Sequence, residues 1–109
     1  MTHATDFAEH GYAKLSLLGR DYCRYLSDYW WANPHLHERW PDMEGIKRTS
    51  ANNLPPMVTL HHTITPLVQS IVGEPIKPSY SFTSCYERGS TLPPHTDRPQ
   101  CRYNMSLML

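Results

Sequence analysis

In YSFTSCYERGSTLPPHTDRPQCRYNMSLML, residues 80–109, aromatic and β-favouring side chains alternate along the chain. Tyr80, Phe82, Ser84 and Tyr86 interleave with Ser81, Thr83, Cys85 and Glu87, the two-residue period of a strand with one covered face. Glu87-Arg88-Gly89-Ser90 reads as a turn, and Pro93-Pro94 stiffens the following segment in an extended form. Tyr103, Met105, Leu107 and Leu109 then alternate with Arg102, Asn104, Ser106 and Met108, which predicts a further strand. The sequence stops inside that strand on Leu-Met-Leu without a cap or turn, so the expectation is a sheet completed by further strands of a longer domain.

Working back from this region, Glu74-Pro75 and Gly73 end a helical pattern that starts after Asn52-Asn53. Met57, Leu60, Ile64, Leu67, Val68 and Ile71 form its apolar stripe, with asparagine expected to cap it and Pro55 or Pro56 in its first turn. Pro66 falls inside, where the lost N–H predicts a kinked or split helix with Thr65 capping the second half. Residues 35–53 are polar and irregular and read as a long loop that crosses the surface. Before them, Tyr22, Tyr25, Leu26, Tyr29 and Trp30 recur at spacings of three and four, so a helix is predicted over Arg20–Ala32, stopped by Asn33-Pro34. Tyr12 to Leu18 alternates loosely after Gly11 and reads as an early strand.

Composition narrows the partners. The 109 residues carry ten basic and ten acidic side chains, a net charge of zero, so neither a nucleic-acid groove nor an anionic membrane surface is expected. The long uncharged run, Thr49 to Gly73, is interrupted by asparagines, histidines and prolines, and Met1 to His10 has no apolar core of a secretory signal; the expected location is the cytoplasm. Three cysteines, Cys23, Cys85 and Cys101, lack any Cys-x-x-Cys spacing and read as free thiols. Ten prolines exclude a mainly helical chain, and without a repeat or linker one continuous domain is expected.

His95-Thr96-Asp97 is the one constellation with a metal-ligand shape. On an extended segment, residues two apart project to the same face, so an imidazole and a carboxylate can meet one ion. Residues 80–109 resemble the region around the first two metal ligands of the iron(II)- and 2-oxoglutarate-dependent dioxygenases, particularly the prolyl 4-hydroxylase-like branch. The resemblance is carried by Tyr86, Gly89, His95 and Asp97 in the order Tyr-x-x-Gly-x-x-x-x-x-His-x-Asp, with an Arg102-bearing strand behind them.

That resemblance implies an α+β chain: N-terminal helices plus the first strands of a double-stranded β-helix (jelly-roll, cupin-like) core, incomplete in this chain. It divides one partial domain, 1–109, into a helical flank with an early strand (1–78) and the first core strands (79–109). It also implies that His95 and Asp97 are ligands to Fe(II), that Tyr86 lies near the metal and cofactor pocket, and that 2-oxoglutarate is the cosubstrate, with ascorbate as an accessory reductant. The activity would be hydroxylation of a small-molecule or peptide substrate. An iron site of this type uses two histidines and one carboxylate on one octahedral face.

The chain departs from the pattern after Asp97, where no further histidine occurs, and Arg98 and Arg102 come too early to be the residue that anchors 2-oxoglutarate. The third ligand and that anchor are expected from a C-terminal half, and the isolated chain is expected to be inactive. The rival readings are a non-catalytic fragment or partner-completed binding module and a cupin-like zinc or manganese site. Elsewhere, adjacent His61 and His62 diverge on a helix, and His35-x-His37 lacks companions for zinc; both pairs read as structural. Trp30, Trp31 and Trp40 read as core or lid packing, and Lys47-Arg48 as solvated surface.

Overall fold

The computed structural model describes residues 2–41, 43, 45–95 and 97–109. Among them the chain is a mixture of α and β structure, with three α-helices and a three-stranded antiparallel sheet. Helix α1, His3–His10, was not foreseen, because its apolar face is only Ala4, Phe7 and Ala8. Its signals are at its ends: the Thr2 hydroxyl accepts the Thr5 amide at 3.1 Å, and Gly11 closes it in the left-handed region.

Helix α2, Arg20–Ala32, matches the expected span and buries Leu26 and Trp30. Asn33 stops it, donating its Nδ2 to the Tyr29 carbonyl at 2.8 Å. A single 3₁₀ turn, Pro34–Leu36, leads to His37, whose ring stacks on Trp30 at 3.6 Å between centroids and whose Nε2 donates to the Trp30 carbonyl at 2.8 Å. His37 therefore covers the end of α2.

Residues 35–53 are not a loop. They hold β1, Glu38–Arg39, and β2, Arg48–Asn52, which pair as a hairpin, and β2 is the central strand of the sheet. Strand β3, Phe82–Tyr86, pairs with β2 along its whole length, Arg48 opposite Tyr86 and Asn52 opposite Phe82. Two expected strands are absent: residues 12–18 and 103–109 have no regular structure and no ladder partner. Alternation supplies a face, but a strand also needs a neighbour for its backbone groups.

Between the strands runs α3, Pro55–Val72, with both prolines in its first turn and Gly73 in the left-handed region after it. Helical structure continues through Pro66, and Thr65 donates its hydroxyl to the His61 carbonyl at 2.7 Å rather than capping a second helix. Nor does an asparagine cap α3. Leu54 takes that position, while Asn53, at φ 50°, exchanges two hydrogen bonds with Ser81: its amide donates to the Ser81 carbonyl at 2.9 Å and its Oδ1 accepts the Ser81 amide at 3.0 Å. Asparagine is among the few side chains that tolerate this backbone region.

The core lies where α2 and α3 cover one face of the sheet. Leu26, Trp30, Ala51, Leu54, Met57 and Leu60 are buried, with Leu18, Tyr29, Ile64 and Cys85 packed around them. Strand alternation sends Ala51 and Cys85 to this face and leaves Arg48, Ser50, Ser84, Phe82 and Tyr86 on the other. No helix among the described residues is long and apolar enough to cross a membrane.

Candidate metal centre and the cleft beside it

The segment that carries His95 and Asp97 leaves β3 through a tight turn. The Ser90 amide reaches back to the Glu87 carbonyl at 3.0 Å, and Gly89, at φ 83°, occupies the position that needs a left-handed residue. Past the turn, the segment is moored to the β1–β2 loop. The Thr91 amide donates to the Gly45 carbonyl at 2.9 Å, the Lys47 amide to the Ser90 hydroxyl at 2.9 Å, and the Glu87 amide to the Lys47 carbonyl at 2.9 Å. Gly45, at φ 83°, has its open face against Thr91, whose Oγ1 would lie 2.5 Å from an added Cβ. Arg39 ties the same corner together, donating to the Trp40 and Arg48 carbonyls at 2.7 and 2.9 Å and pairing with Glu87 at 3.0 Å.

Beyond this mooring, His95 and Asp97 turn towards each other, with His95 Nε2 3.4 Å from Asp97 Oδ1. Each is oriented by a further group. His95 Nδ1 is 3.0 Å from the Pro93 carbonyl, which can only accept, so the ring carries its proton on Nδ1 and turns Nε2 towards the carboxylate. Asp97 Oδ2 accepts from Asn104 Nδ2 at 2.8 Å, leaving Oδ1 facing the imidazole. Nε2 and Oδ1 thus face one point, where a shared cation, a proton or a metal ion, satisfies both. A metal-ligating histidine commonly donates its other nitrogen to a carbonyl, and its companion carboxylate is commonly held by a hydrogen bond. The two residues thus fit as donors to one divalent ion. Both side chains are about half exposed, and no group of three His, Cys, Asp or Glu side chains suited to a metal occurs among the described residues. Thr96, between them, lies outside the described residues.

The other residues singled out in the sequence sit elsewhere. Tyr86 is on the outer face of β3, and its hydroxyl accepts from Arg48 Nη1 at 3.2 Å. Arg102 pairs with Glu74 at 3.0 Å, and Tyr103 meets Phe7 edge-on, so residues 102–103 are tied to the end of α3 and to α1. A hydrogen bond to Glu74 pushes the Tyr103 phenol up from its ordinary value. The Tyr80 phenol is likewise pushed up, chiefly by its hydrogen bond with the Cys101 thiol, with Asp97 adding to the effect and Arg98 opposing it. The three cysteines are free. His62 donates Nδ1 to the Val58 carbonyl at 3.0 Å, and His61 is pushed down by burial and by the neighbouring His62.

Arg48 is the residue that sequence reasoning missed. It is half buried, not solvated, and its guanidinium lies 4.3 Å from the ring centre of Trp40, 5.2 Å from that of Phe82 and 5.9 Å from that of Tyr86. Small serines make this possible: Ser50 and Ser84, joined through their hydroxyls at 2.9 Å, leave the room into which Arg48 and Phe82 reach from opposite ends of the ladder. The available signal was aromatic spacing, since Phe82 and Tyr86 share a strand face, but it needed the pairing with β2 to become a cage. Arg48 and His95 line one shallow cleft of about 190 Å³ together with Ile46, Leu92 and Pro93.

No family model, curated protein or solved structure matches the chain.

Proposed function

We propose that this chain is the N-terminal part of an iron(II)- and 2-oxoglutarate-dependent dioxygenase, with His95 and Asp97 as two of the metal's protein ligands. The observation that carries the reading is the oriented pair: His95 Nε2 and Asp97 Oδ1 face each other at 3.4 Å, one fixed by the Pro93 carbonyl and the other by Asn104. On this reading the helices and the three strands are the beginning of a jelly-roll core. The third ligand and the basic residue that anchors 2-oxoglutarate come from a C-terminal half or a second chain.

When bound, iron with 2-oxoglutarate and dioxygen supplies oxidative decarboxylation to succinate and carbon dioxide, coupled to oxidation of a C–H bond. What these residues contribute is narrower. Pro93 holds His95 in the tautomer that leaves Nε2 free to coordinate, and Asn104 keeps one carboxylate oxygen of Asp97 turned towards the same point. The mooring of residues 90–91 to the hairpin sets where that point lies relative to the sheet. Ascorbate and a small-molecule or peptide substrate belong to the same proposal.

The test is succinate formation from 2-oxoglutarate by the native protein purified from its source, with iron present or chelated. Iron-dependent succinate that disappears in the His95→Ala and Asp97→Ala proteins is the expected result. Metal binding at His95 and Asp97 without any 2-oxoglutarate turnover would turn the assignment to a cupin-like zinc or manganese site. Absence of metal binding would overturn it in favour of a non-catalytic module.

A further inference from the structure

Arg39 and Arg102 each meet a carboxylate, Glu87 and Glu74, both at 3.0 Å. Arg48 meets none among the described residues. The guanidinium's one hydrogen bond among the described residues runs to the Tyr86 hydroxyl at 3.2 Å, and its Nε is shut off from water with no partner among them. Three aromatic rings stand around the half-buried guanidinium, so part of its hydration is displaced and no carboxylate among the described residues takes its place. A cation held this way interacts more strongly with an incoming anion than one in open water, because the surrounding dielectric is lower.

The described residues give an anion a place to approach. Arg48 lines the cleft of about 190 Å³ together with the apolar Ile46, Leu92 and Pro93 and with His95. At about 190 Å³ the space is smaller than the clefts that hold drug-sized ligands, so its occupant is small. The walls offer a hydrocarbon surface and the cage offers one fixed positive charge. We propose that this cleft binds a small organic monocarboxylate, with its carboxylate on the Arg48 guanidinium and its short hydrocarbon tail against Ile46, Leu92 and Pro93. The occupant is recognised by charge at one end and by apolar contact at the other. The inference rests on the cage and the cleft, not on iron, and stands or falls separately from the dioxygenase reading.

The test uses metal-stripped protein in chelator, with butyrate as the probe and tryptophan fluorescence of a Trp31→Phe protein as the readout, which Trp40 reports because its ring lies 4.3 Å from the guanidinium while Trp30 is buried. Butyrate is expected to bind tighter than acetate, and butyramide, which has the tail without the charge, at least tenfold weaker than butyrate. Arg48→Gln should lose at least tenfold in butyrate affinity. Because Arg48 also supports the aromatic cage, Leu92→Glu provides a second variant: Leu92 is exposed, and a carboxylate built into the cleft should block butyrate while leaving the circular dichroism spectrum unchanged. Butyramide binding as well as butyrate, unchanged binding in both variants, or inorganic phosphate binding as tightly as butyrate would each overturn the assignment.

Discussion

Removing the Asn104 side chain should weaken metal binding without unfolding the protein. Asn104 is exposed and its amide makes one hydrogen bond among the described residues, 2.8 Å from Asp97 Oδ2, so Asn104→Ala deletes a single hydrogen bond to a charged acceptor. Such a bond contributes about 1.5–3 kcal/mol where water is excluded. Asp97 is 43% exposed, which places this one at or below the lower end, about 1.4 kcal/mol, or a tenfold rise in metal Kd. The measurement is a Co(II) titration followed by visible absorption, Co(II) standing in for oxygen-sensitive Fe(II). Wild type, Asn104→Ala and Asp97→Ala should rank in that order, with Asp97→Ala losing saturable binding and Asn104→Ala retaining the wild-type melting temperature. Equal affinity in wild type and Asn104→Ala would refute the idea that Asn104 orients the carboxylate, and a loss as large as that of Asp97→Ala would mean that Asn104 holds the whole segment.

Asn53→Ala should cost about 2 kcal/mol of unfolding free energy in urea titrations, from the hydrogen bond to Ser81 together with the left-handed backbone at φ 50°; Asn53→Gly removes the same hydrogen bond without the steric conflict and separates the two contributions. His61 gives a pH dependence with a definite sign. Its folded-state value is pushed below the ordinary 6.5, so the unfolded chain binds the proton more readily, and the stability present above pH 6.5 falls as the pH drops through the folded value. Thermal melts of wild type should show this loss on the acid side, and His61→Gln should reduce it; an identical acid slope in both would remove His61 from the account.

The helices were legible where an apolar period coincided with a stop signal. Tyr22 to Trp30 followed by Asn33-Pro34 defined α2, and Met57 to Ile71 between the prolines and Gly73 defined α3. Helix α1 escaped because its apolar face is short, Ala4, Phe7 and Ala8 alone, and its marks, the Thr2 cap and Gly11, stand out little around so brief a period. The central strand, Arg-Thr-Ser-Ala-Asn, hides for a related reason: one face is covered by helices through a mere alanine and the other by an arginine and its aromatic neighbours, so no alternation of large apolar side chains is printed on it. Residues 103–109 show the opposite failure, a strand-like period without a strand. The convergence of His95 and Asp97 follows from their two-residue spacing, whereas the contributions of Pro93 and Asn104 needed the fold of the segment, and Arg48 needed the register of β2 against β3.

The attachment of residues 87–91 to the hairpin also sets how the molecule opens. The three mooring hydrogen bonds join residues some forty positions apart in sequence, and none of them depends on the buried cluster of α2 and α3. Regions held by a few such bonds open and close many times before the whole chain unfolds. The amides of Lys47, Glu87 and Thr91 should therefore exchange with deuterium together, well ahead of those in the middle of α3. The His95–Asp97 pair would then come and go as one cooperative unit with the tip of the hairpin, while the helical core stays closed.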